Sequence, residues 1–132
     1  MNQEIQIKKA VILIVEDEFE SQKFFELVLR KKFDVDFCES RKSMNDLLEK
    51  KVYDAVIMDI SLKDGNNGVD LIKEIRSSLM RTEIPIICLS AHAYEENKIK
   101  AKQAGADVYL TKPVKGQLLL STLEELLVTN FD

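Results

Sequence analysis

The 132-residue chain holds only two cysteines, Cys38 and Cys88, and a single histidine, His92. No CxxC pair and no Cys/His spacing is present, which excludes the common soft-ligand metal sites. Both cysteines lie in apolar runs, where a thiol is usually a small buried hydrophobe. Long apolar runs are missing too. The longest, Ala10–Val15, falls far short of the ~20 residues of a membrane span. The opening MNQEIQIKKA has no secretory apolar segment. Nor is there an excess of positive charge: the formal net charge is −4, against a clustered basic face for nucleic acid. Lys98, Lys100 and Lys102, at every-second spacing on a helix, point in different directions. The expectation is a cytoplasmic protein with no membrane insertion and no direct nucleic-acid binding.

What is present suits one globular domain. A hydrophobic fraction of 45% and a charged fraction of 32% are ordinary, and the length can bury a core without disulfide or metal staples. Short apolar runs alternate with longer amphipathic segments. Val11–Val15, Ala55–Met58 and Ile84–Leu89 are continuous runs, the pattern of strands covered on both faces in a parallel sheet. Weaker strands fit Val35–Cys38 and Val108–Leu110. Helices fit between them. Phe19–Lys31 carries Phe24, Leu27, Val28 and Lys31 at helical spacing. Ser40 can cap Arg41–Lys50, which presents Met44, Leu47 and Leu48. Asn67 can cap Gly68–Ser78, with Val69, Ile72, Ile75 and Leu79 inward. Tyr94–Ala104, with Ile99 as its one large aliphatic anchor, stops at Gly105. Lys115–Val128 carries Leu119, Leu123, Leu126 and Leu127. Five βα units in series predict an open parallel sheet with helices on both faces. The reading is a short tail over 1–9, one domain over 10–129, and no output domain.

In open α/β sheets the ligand site lies beyond the carboxyl ends of the strands. Here the first strand ends in Glu16-Asp17-Glu18, the third at Asp59, the fourth at Ser90 and the fifth at Thr111-Lys112-Pro113. Singly these are bland: a strand-end acid is usually exposed or a helix cap, and Lys-Pro is usually a turn. Together they put carboxylates, a hydroxyl and an ammonium on one edge. Clustered carboxylates repel and tend to protonate unless a cation compensates. Oxygen-only ligands suit a hard divalent ion, Mg²⁺ first, with Mn²⁺ able to substitute. A carboxylate, such an ion and a lysine suit phosphoryl transfer, in which a carboxylate can be the nucleophile.

The runs VILIVEDE, YDAVIMDISL, IPIICLSAHA and GADVYLTKPV closely resemble the receiver domain of two-component response regulators, over about Ala10 to Val128. The resemblance implies a flavodoxin-like doubly wound (βα)5 fold, with a sheet in the order 2-1-3-4-5 carried over from the family. It implies that Asp59 is the phosphoacceptor, Asp17 a direct metal ligand, Glu16 a ligand through water, and the Ser61 backbone carbonyl a further ligand. Lys112 would bind phosphoryl oxygens, with a cis bond to Pro113. Ser90 would be the switch hydroxyl, and Tyr109 the aromatic that changes rotamer with it. Ser61 and His92 occupy positions that tune dephosphorylation, although an exposed histidine at a helix start is the plainer reading of His92. The implied donor is a sensor histidine kinase or a histidine phosphotransfer protein. The implied output is a phosphorylation-dependent homodimer or target protein on the face formed by the fourth helix, fifth strand and fifth helix.

The chain departs from the family pattern in two places. Lys63 stands four residues after the acceptor, where proline is frequent, and the stretch from Asp59 to Gly68 is one residue longer than the commonest form. The turn-forming KDGNNG predicts an enlarged loop there. Other functions fit less well. A phosphohydrolase passing through an aspartyl phosphate tends to carry a second acid two residues after its nucleophile, and Ser61 stands there. A phosphorylation-independent pseudo-receiver would lack the acceptor, metal acids or lysine. A flavin carrier would need a hydroxyl- or glycine-rich phosphate loop where Glu16-Asp17-Glu18 would repel a phosphate.

Overall fold

The computed structural model describes residues 9–60, 67–78 and 81–130. Five βα units follow one another: β1 Ala10–Val15, α1 Phe19–Leu29, β2 Phe33–Cys38, α2 Arg41–Lys50, β3 Ala55–Asp59, α3 Gly68–Ser77, β4 Ile86–Ser90, α4 Glu95–Ala104, β5 Val108–Thr111 and α5 Gly116–Asn130. The strands form one sheet in the order β2-β1-β3-β4-β5, parallel at every pairing.

The continuous apolar runs become the central strands because both sheet faces are covered. Side chains alternate across a strand. Ile12, Ile14, Ala55 and Ile57 therefore enter one core with Phe25, Leu29, Leu119 and Leu123 of α1 and α5. Leu13, Val15, Val56 and Met58 enter the other with Met44, Leu48, Leu71, Ile72 and Ile75 of α2 and α3, and Ala101 and Ala104 of α4. Every residue of β3 and β4 is buried. The chain winds from β1 outward to β2, then returns past β1 to β3. That reversal opens the crevice between the ends of β1 and β3 where such sheets bind ligands.

Caps fall where the side chains can make them. Ser40 Oγ accepts from the Ser43 amide at 3.2 Å, and Asn67 Oδ1 accepts from the Val69 amide at 2.9 Å. Gly105 ends α4 with φ +124°, a backbone state other residues rarely adopt. Its amide donates to the Lys102 carbonyl.

Two inward faces differ from the sequence expectation. On α1 the buried residues are Phe25 and Leu29, whereas Phe24 and Leu27 are 40% and 64% exposed. Both stripes have helical spacing, and only the register against α5 separates them. On α4, Ile99 is 47% exposed and the buried contacts are Ala101 and Ala104. Small side chains let this helix lie close on the sheet, so a large anchor is not what holds it. Leu79 lies outside the described residues.

Candidate functional site

The site begins with how β1 ends. The Glu16 amide donates to the Cys38 carbonyl at 2.9 Å, extending the β1–β2 ladder by one bond. That bond holds Glu16 at the sheet edge, 1% exposed. Asp17 follows at the start of the turn into α1. On β3, Asp59 pairs in register with Leu89 and is 3% exposed. The Ile60 amide continues the β3–β4 pairing onto the Leu89 carbonyl at 3.1 Å. Gly68 closes this corner: a Cβ there would run into Ile60 Cα and come within 2.7 Å of the Asp59 carbonyl. Only glycine lets α3 start so near the end of β3.

Lys112 comes in from β5. Its amide donates to the Ser90 carbonyl at 2.8 Å, and its bond to Pro113 is cis. Lys112 Nζ donates to Asp59 Oδ2 at 2.8 Å and to Glu16 Oε1 at 3.4 Å. Glu16, Asp17 and Asp59 each offer a carboxylate oxygen, all within 4.8 Å of one another.

The electrostatics follow from burial and crowding. Burial first, then the hydrogen bond and charge of Asp59, push the Glu16 carboxyl up to about 7, and Lys112 offsets only part of this. Burial works against the charge on Lys112, but the hydrogen bond and field of Asp59, with Glu16 behind it, prevail and raise its pKa. One ammonium thus faces a group of acids that repel each other. A further cation would relieve them. A set of oxygen donors without thiol or imidazole suits a hard ion such as Mg²⁺.

Ser90 is fully buried, and its Oγ accepts from the His92 amide at 3.0 Å. Tyr109 is half-buried on β5, and its hydroxyl donates to the His92 carbonyl at 2.6 Å. The loop after β4 is therefore held at its backbone by the two residues expected to switch together. The His92 ring is exposed and stacks on Tyr94, with centroids 5.9 Å apart and planes at 16°. Ser61 and Lys63 lie outside the described residues, so the carbonyl expected as a ligand and the enlarged loop do too. Sequence reasoning singled out the other site residues, and the fold gathers Glu16, Asp17, Asp59, Ser90 and Lys112 at one sheet edge. It passed over Gln22, whose side-chain nitrogen donates to the Glu16 carbonyl at 2.6 Å. A polar residue in a helix's first turn gives no sequence signal of such a bond.

A doubly wound parallel sheet with buried acids and a lysine beyond its carboxyl edge is the frame of a phosphoryl-handling signalling domain. The model of the response regulator receiver domain family matches residues 12–124, and the chain belongs to that family. Such domains are regulatory modules of two-component and phosphorelay signalling, phosphorylated by histidine kinases or phosphotransfer proteins. Regulatory protein VanRB of Enterococcus faecalis is 32% identical over 117 residues, which are 89% of this chain and 51% of that protein. Hybrid signal transduction histidine kinase I of Dictyostelium discoideum is 31% identical over 120 residues, 85% of this chain and 7% of the kinase. The chain thus spans about half the length of the bacterial relative and a small part of the kinase. Among solved structures, a chain designated a response regulator from Chloroflexus aurantiacus matches with TM-score 0.86 and 32% identity, covering 92% of this chain and 99% of that one. A CheY-like receiver domain protein from Methanospirillum hungatei matches with TM-score 0.84 and 25% identity, covering 92% and 96%.

Proposed function

We propose that this receiver domain is a phosphoacceptor switch in which Asp59 takes a phosphoryl group from a phosphohistidine on a sensor kinase or a phosphotransfer protein. The observation that carries the reading is Asp59: buried, at the crevice, 2.8 Å from Lys112 and grouped with Glu16 and Asp17. An Asp59 carboxylate oxygen forms the new P–O bond as the P–N bond breaks, and the electron pair of that bond returns to the donor imidazole. Lys112 is placed to neutralise phosphoryl oxygens. Glu16 and Asp17, with Asp59, would hold Mg²⁺, which when bound supplies charge neutralisation and orientation.

The output follows from the loop after β4. Ser90 Oγ, one strand away from Asp59, would turn toward the phosphoryl group. The His92 amide it now accepts from would have to find another partner, so residues 91–93 shift and α4 shifts with them. Tyr109, bonded to the same residue, moves in concert. Phosphorylation biases an existing equilibrium of the α4–β5–α5 face, where a second copy or a target protein binds. By the family resemblance, His92 in this loop and Ser61 stand at the positions that tune phosphoryl lifetime.

Labelling with acetyl phosphate and Mg²⁺, read by intact-mass spectrometry, tests the assignment. The wild-type chain should gain one phosphoryl mass, and Asp59→Asn should gain none. Full incorporation into the variant would overturn the reading.

A further inference from the structure

We infer that Gln22 is a positioning residue for the metal-binding acids, fixing the Glu16–Asp17 peptide so that Asp17 faces the site. The inference rests on the metal-dependent reading above and adds a residue to it. Four observations converge at the turn between β1 and α1. Gln22 Nε2 donates to the Glu16 carbonyl at 2.6 Å, a short bond for an amide donor. The identity of the atom is fixed by the partner: a carbonyl only accepts, so the amide nitrogen must face it. The other end of Glu16 is already held, since its amide donates to the Cys38 carbonyl at 2.9 Å. With both backbone groups of Glu16 bonded, the plane of the peptide that leads into Asp17 is set.

The third observation is what this turn lacks. The residue at the start of α1, Glu18, makes no side-chain cap. Its own amide reaches only 3.5 Å from Glu16 Oε2. Gln22 thus provides a strong side-chain tie from the first turn of α1 back to the end of β1, and its backbone amide also donates to the Glu18 carbonyl at 3.0 Å. The fourth observation is location. Gln22 and Asp17 line the same open cleft of about 770 Å³ with Glu39, Ser40 and Ser43. The residue therefore lies beside the acid it orients. Crowded acids resist convergence, so the peptide joining two of them must be held from outside. Residues that orient ligands in this way typically change metal affinity by about 10- to 100-fold when altered.

The test is a Mg²⁺ titration of the melting temperature of the full chain with no phosphodonor present, for wild type, Gln22→Met, Gln22→Glu and Asp17→Asn. Gln22→Met keeps the length and removes the donor. Gln22→Glu is isosteric and also removes it, while adding a negative charge that would by itself strengthen cation binding. Both should move the Mg²⁺ midpoint about tenfold higher. Phosphoryl uptake from acetyl phosphate at saturating Mg²⁺ should return to the wild-type rate in Gln22→Met. The assignment falls if either variant keeps or improves the wild-type midpoint, including when its metal-free melting temperature drops, because that is a purely structural role. It falls as well if Gln22→Met stays slow at saturating Mg²⁺. Asp17→Asn separates the two levels: it should lose the Mg²⁺ shift, and a retained shift would sink the metal reading itself. Loss in Asp17→Asn with unchanged Gln22 variants would remove Gln22 alone.

Discussion

Individual side chains in this protein behave according to what surrounds them, and the two thiols are the plainest case. Cys38 and Cys88 are 3% and 0% exposed. Burial, with the charge of Glu39 behind it, pushes Cys38 up to about 12, and burial with the charge of Asp59 does the same to Cys88. At pH 8 about one thiol in ten thousand would be ionised, and the thiolate is the reactive form. The native chain should therefore resist a disulfide reagent such as DTNB at pH 8, and both thiols should react once it is unfolded in urea. Rapid modification of either thiol in the native state would contradict this. The acids and the lysine that the fold gathers at one edge were legible for a related reason. Acids and a lysine at the ends of apolar strands conflict with their surroundings, and that conflict is visible in the sequence. Gln22 involves no conflict, since its partner is a backbone carbonyl that any residue could present.

Whole elements were legible wherever the pattern left one choice. The capping serine of α2 and the capping asparagine of α3 stand where their side-chain bonds form. The inward face of α1 was not legible, because Phe24 and Leu27 match helical spacing as well as Phe25 and Leu29 do. The chemistry that fixes the base of α4 was also silent. Arg76, at the end of α3, donates to the Gly105 carbonyl through Nε at 3.0 Å and Nη2 at 2.7 Å. Its Nη1 reaches the Ile84 carbonyl at 2.6 Å, and its Nη2 pairs with Asp107 at 3.1 Å. Two segments, residues 81–84 and 105–107, converge on a side chain only 16% exposed. Arg76→Met should destabilise the fold by about 2 kcal/mol, since it leaves carbonyls without a donor. Urea denaturation checks this through its midpoint, and an unchanged midpoint would mean the network contributes little. The same clamp holds the C-terminal end of α4, whereas residues 91–96, the loop before it and its first two residues, are exposed and its cap residue Tyr94 makes no side-chain cap. Movement should begin at that N-terminal end.

At the scale of the molecule, two cores back to back make the sheet rigid, and the candidate site residues occupy its carboxyl edge. The order of the strands was carried by family resemblance, because periodicity predicts five βα units but not which way each crossover turns along the sheet. On the proposed reading, the loop after β4 and α4 are the parts among the described residues that respond. The most direct measurement is hydrogen exchange with and without beryllofluoride and Mg²⁺, on wild type and Asp59→Asn. The account predicts that in the wild type protection changes both beside Asp59 and through residues 90–110, strongest at the start of α4, and that neither change occurs in Asp59→Asn or without Mg²⁺. Changes confined to the surroundings of Asp59, or equal changes in the variant, would contradict it.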